Sequence, residues 1–105
     1  MKEVNRNYFT MEEQVMIQVL KNNKGSMFVA EIQRELIPFK ISRRGTYVLS
    51  YNKIHRILND LIKKAKWVHI QGFNPFINGL KVEHCEGCLY NYSEVRKYSI
   101  KMAPD

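Results

Sequence analysis

The sequence predicts an α+β fold, three helices followed by a β-hairpin. Three observations lead there. Apolar residues recur at helical spacing in three successive segments of the first two-thirds of the chain. Glycine, asparagine and proline then interrupt the pattern between Gly72 and Gly79. After that the apolar residues alternate one by one, as in strands. With 105 residues, 45% of them hydrophobic, the chain suits a single domain over 1–105, with its core from about residue 10 to 102.

Thr10 followed by Glu13 is a capping-box pattern and starts the first helix. Val15, Met16, Val19 and Leu20 supply its buried face, and Asn22, Asn23 and Gly25 end it. Ser26 is the expected cap of a second helix, buried through Phe28, Val29, Ile32 and Leu36 and stopped by Pro38. A linker follows, centred on Arg43, Arg44 and Gly45. Ser50 caps the third helix, which runs to about Lys66. Its apolar residues Ile54, Ile57, Leu58, Leu61, Ile62 and Ala65 form one continuous stripe. Trp67 to Gln71, then Leu80, Val82 and His84, and finally Tyr98, Ile100 and Met102 read as strands. Gly72 to Ser93 is longer than a simple loop needs, so a further hairpin is expected there. Ala103 to Asp105 reads as a frayed tail.

The net charge of +7 is localised. From Lys40 to Lys66 there are eight Lys and Arg and one acid, Asp60, whereas the rest of the chain is neutral. Such a stretch suits a polyanion, because a solvated surface usually mixes signs. No apolar run approaches the length of a membrane span, and the first eight residues lack a signal-peptide core. A soluble, cytoplasmic protein is expected. No Ser/His/Asp or paired-carboxylate arrangement stands out, so no enzyme activity is expected.

At 100° per residue, the face of the third helix opposite its apolar stripe carries Asn52, Arg56, Asn59 and Lys63, flanked by Lys53 and Asp60. Arg can pair with guanine and Asn with adenine in a major groove. Ser50, Asn52, Lys53, Arg56 and Asn59 are therefore the candidate base readers. Lys40, Arg43, Arg44, Tyr47, Tyr51, Lys63, Lys64 and Lys81 are the candidate phosphate contacts, and His55 lies at the edge of the same face.

The order of elements resembles the winged helix-turn-helix superfamily of DNA-binding proteins. The segment from Ile54 through His55, Arg56, Ile57 and Leu58 to Ala65, Lys66, Trp67 and Val68 looks like that family's recognition helix running into its first wing strand. Ala65 or Lys66 stands where the family commonly has glycine. Arg96-Lys97-Tyr98-Ser99-Ile100 is similar to the returning wing strand. The resemblance spans about Thr10 to Met102 and implies a helix-turn-helix core with an extended wing. Two departures are plain. The linker from Pro38 to Leu49 exceeds the usual tight turn, and Thr46 to Leu49 favour a short strand that would pair with the wing. The wing is also long. The small size, the mixture of Lys, Ile, Asn and Tyr, and the paired cysteines look similar to small regulators encoded by archaeal viruses.

The resemblance implies sequence-specific binding of double-stranded DNA, transcriptional regulation and a homodimer; no small-molecule ligand is evident in the sequence. A protein-interaction module of the same fold is one alternative. A single-strand or RNA binder is the other, stacking bases on Phe73, Phe76, Tyr90 and Tyr92. Cys85-Glu86-Gly87-Cys88 is at most half of a zinc site, so a disulfide or free thiols are favoured over zinc and no cofactor is expected. A disulfide would suit an intracellular protein only from a hyperthermophile.

Overall fold

A computed structural model describes residues 2–23, 25–39, 49–71, 79–90 and 93–102. It is an α+β fold of three helices and a five-stranded mixed sheet.

Strand β1 is Lys2–Val4, followed by a short 3-10 turn at Arg6–Tyr8. Helix α1, Met11–Asn22, starts on the expected capping box. The Glu13 backbone N–H donates to Thr10 Oγ1 (3.1 Å), and the Thr10 N–H donates to Glu13 Oε1 (2.9 Å). Two otherwise orphaned donors are thereby satisfied. Strand β2 is Met27–Phe28, and helix α2 follows directly as Val29–Leu36. Ser26 is therefore not the cap. Met27 and Phe28 are held extended by pairing with β5, and Glu31 Oε1 accepts the Phe28 N–H at 3.1 Å.

Helix α3, Tyr51–Lys64, begins where Ser50 Oγ accepts the Lys53 N–H. Ile54, Leu58, Leu61 and Ala65 are completely buried and Ile57 nearly so. Burial of each of the larger side chains contributes about 1.5–3 kcal/mol, which fixes the helix's rotation about its axis.

Strand β3 is Lys66–Ile70, β4 is Leu80–Tyr90 and β5 is Ser93–Met102. The sheet order is β1-β3-β4-β5-β2, with β1 and β3 parallel and the other neighbours antiparallel. The expected hairpin between the strand after α3 and the last strand is replaced by a different one. β4 and β5 pair from Leu80↔Met102 to Tyr90↔Ser93, while β3 pairs β4 only near Lys81 and Leu80. The reason lies in burial. Leu80, Val82 and Tyr98 all face the core, so the long alternating strands satisfy each other. The three helices pack on one another and against β4 and β5. The strand expected around Thr46 to Leu49 lies mostly outside the described residues. Leu49 itself is buried, and its carbonyl accepts from Gln33 Nε2 at 2.8 Å.

Candidate nucleic-acid interface

Because the apolar stripe of α3 is locked inward, its opposite side must face solvent. Tyr51, Asn52, Arg56, Asp60 and Lys63 are exposed, and Lys53 is half-buried. Asn52, Arg56 and Lys63 thus form a line along the outer face. Lys53, Arg56 and Lys63 make no ion pair with another described residue.

Several expected contacts are engaged elsewhere. Asn59 is half-buried, and its Oδ1 accepts from an Arg96 guanidinium nitrogen of β5 at 3.3 Å. The Ser50 hydroxyl serves as helix cap. Lys64 Nζ lies 2.8 Å from the Glu13 carboxylate, which is only 3% exposed as a residue. Lys64 is therefore held by the fold, tying the end of α3 to the start of α1. Lys81 lies 3.7 Å from Glu83 and 5.9 Å from the centroid of the Trp67 ring. Lys40, Arg43, Arg44 and Tyr47 lie outside the described residues, as do Phe73, Phe76 and Tyr92; nothing is described of the Tyr90 side chain.

The hairpin differs from α3 in charge balance. Glu83 lies 2.9 Å from Lys101 as well as near Lys81, and Glu86 lies 3.3 Å from Arg96. These pairs offset Lys101, Arg96 and, less closely, Lys81, while Lys97 lies over the Phe28 ring, 4.4 Å from its centroid. The uncompensated positive charge of the described residues is concentrated on α3 and at Lys66, just beyond it.

His55 sits at the seam between α3 and β5, with Nδ1 2.9 Å from the Tyr98 hydroxyl. Burial, and secondarily the nearby Arg96 charge, hold its pKa below the ordinary histidine value. A neutral imidazole bonded to Tyr98 is poorly suited to grip a phosphate. Burial also pushes the Tyr98 phenol up, against an opposing effect of Arg96.

Cys85 and Cys88 form a disulfide within β4. It spans the bulge where the register with β5 shifts, and Gly87 adopts φ 75° there. A positive φ is readily accommodated by glycine, which explains this residue between the cysteines. Joined to each other, the two sulfurs are not presented as thiolate ligands. Among the described residues no group of three His, Cys, Asp or Glu is placed to hold a metal ion, and no helix is long and apolar enough to cross a membrane.

Besides the Lys64–Glu13 and His55–Tyr98 contacts, two features of the site escaped the sequence reading. One is the Arg96 bridge, which joins residues 37 apart in sequence. The other is Trp67, a non-glycine residue at φ 54°. Only the short spacing from the helix end to the strand hinted at the second.

No protein-family model, no curated protein and no solved structure matches this chain.

Proposed function

We propose that this chain is a sequence-specific double-stranded DNA-binding protein of winged-helix type, acting as a transcriptional regulator in a cytoplasm, such as a hyperthermophile's, where the Cys85–Cys88 disulfide persists. The observation that carries this reading is the line of Asn52, Arg56 and Lys63 along the outer face of α3, with cations that lack acidic partners among the described residues. Arg56 and Asn52 have the donors and acceptors to read base edges in a major groove, and Lys63 can hold a phosphate. The order α1, β2, α2, α3 and the β4–β5 hairpin, with β2 paired to β5, supports the winged-helix assignment. In this reading α3 is the recognition helix and β4–β5 the wing. Two copies would set their α3 helices about one DNA turn apart.

The test is a titration of wild type and Arg56→Ala against specific and random duplexes at two salt concentrations. Loss of Arg56 is expected to cost about 1–3 kcal/mol on the specific site and to relax preference at one base pair. Equal weakening on every sequence would reduce Arg56 to a phosphate contact. Salt-insensitive behaviour without any duplex binding would instead favour a protein-interaction module, and preference for single strands in competition would favour the stacking alternative.

A further inference from the structure

The backbone immediately after α3 carries two unfavourable features at one place. Trp67 adopts φ 54°, in the left-handed region that bulky side chains rarely enter. Its neighbour Lys66 stands directly opposite Lys81 on the adjacent antiparallel strand. Residues so paired project to the same face with their β-carbons in close range, and like charges there destabilise the sheet. Glu83 relieves Lys81 only in part, because it lies nearer Lys101 (2.9 Å) than Lys81 (3.7 Å). Lys66 has no ion-pair partner among the described residues.

The register shift between Lys66 and Val68 connects the two features. Val68 and Ile70 are buried, so regular alternation would turn Lys66 inward as well. The bulge instead leaves Lys66 and Trp67 both exposed, on the side of Lys81. Bulges commonly re-aim a side chain in this way. The result is an exposed indole with the Lys81 ammonium 5.9 Å from its ring centroid, next to exposed Lys66 in the chain and following exposed Lys63 in the last turn of α3. Indole Nε1–H is a donor with no acceptor function, and the lysines are donors and cations. The polar side-chain groups of Lys66, Trp67 and Lys81 are thus all suited to an anion, and the ring supplies an apolar surface. The Glu83 carboxylate, 3.7 Å from Lys81 and nearer Lys101, is the one acid paired with any of them among the described residues.

We infer that Lys66, Trp67 and Lys81 form a second contact with the nucleic acid, gripping the phosphodiester backbone beyond the C-terminal end of α3. The ammonium groups and the indole N–H take phosphate oxygens, and the ring packs against the adjoining sugar. The like-charge pairing of Lys66 with Lys81 is relieved when an anionic chain is bound, and strained backbone of the kind seen at Trp67 clusters at ligand-binding positions. This inference rests on the DNA-binding reading above; it adds Lys66 and Trp67 to Lys81, already a candidate phosphate contact from the sequence, and none of the three lies on α3.

Trp67 is the sole tryptophan of the chain, so its emission reports from this site alone. The experiment follows duplex binding by anisotropy of labelled DNA and, in parallel, Trp67 emission and its quenching by acrylamide. Lys66→Gln and Trp67→Phe are compared with wild type, with thermal melts to establish that each variant is folded. Expected are a change in emission on binding, reduced quenching, and uniform weakening by Lys66→Gln on all sequences. The log–log salt slope should fall by about 0.9 for that lost phosphate contact. Binding by anisotropy with Trp67 emission and quenching unchanged, and with the Lys66→Gln slope unaltered, would overturn the inference while leaving the α3 reading intact. No anisotropy change with wild-type protein would overturn both.

Discussion

His55 Nδ1 on α3 lies 2.9 Å from the Tyr98 hydroxyl on β5, a side-chain bond between the candidate reading helix and a central strand of the sheet. Tyr98 is completely buried, and the rings of both His55 and His84 approach it, with centroids 5.8 and 6.0 Å away. Together with Arg96 on Asn59, this contact fixes how α3 sits relative to β5. A reading element needs such support, because misplacement by about 1 Å degrades a site held only by its first contacts.

The His55 contact predicts a pH dependence of stability. Its folded pKa is lowered from 6.5, by burial first and by Arg96 second. Between that lowered value and 6.5, the unfolded chain binds a proton that the folded chain does not. The stabilising effect of His55 is therefore present above the unfolded pKa and is lost as pH falls through the folded one. Thermal melts over that window should show wild type losing stability more steeply than His55→Gln. Parallel curves would remove His55 from the linkage. Tyr98→Phe should cost about 0.5–1.5 kcal/mol for the lost hydroxyl bond.

Lys63 and Lys64 are adjacent in sequence and are expected to separate cleanly by experiment. Lys64→Met leaves the buried Glu13 carboxylate without its cation. Full burial of such a pair would make this severe, but the Lys64 side chain is 35% exposed, so solvent screening reduces the loss to about 1–2 kcal/mol. Lys63→Met should change stability by no more than about 0.5 kcal/mol, yet lower the salt slope of DNA binding by about 1. Urea titrations paired with binding at several salt concentrations distinguish the two. The reverse pattern would reassign both residues.

The Cys85–Cys88 disulfide closes a very short loop, so its removal by paired serine substitution should cost roughly 2 kcal/mol on the chain-entropy account. Hydrogen exchange should quicken in β4 beyond Cys85 while α1 and α3 keep their protection. Uniform loss of protection would show instead that the bulge supports the whole domain. Gly87→Ala should cost about 1–3 kcal/mol through its φ of 75° alone, because an added Cβ meets nothing within 4 Å.

Local signals were readable wherever the chain satisfies itself over a few residues. The Thr10–Glu13 box, the Ser50 cap and the 3.6-residue stripe from Ile54 to Ala65 each placed a helix, and alternation placed Leu80, Val82 and Tyr98 in strands. Strands β1 and β2 were not readable. They contain three and two residues, too few to show a period, and exist because β3 and β5 offer them partners. The site divides the same way. Asn52, Arg56 and Lys63 on an outer face follow from helix geometry once the stripe is known. The diversion of Asn59 to Arg96 and of Lys64 to Glu13 depends on neighbours 37 and 51 residues away.

What the sequence determined by itself is the periodic part of this protein: the helices, the buried stripe of α3, and the concentration of positive charge around it. What the tertiary structure alone decided is which strands pair, which cations remain uncompensated, and where the backbone bends at Trp67. Periodicity is a property of neighbours along the chain and is written in residue order. Strand pairing, ion pairing and burial belong to neighbours in space, and the chain acquires them only when distant segments close on one another.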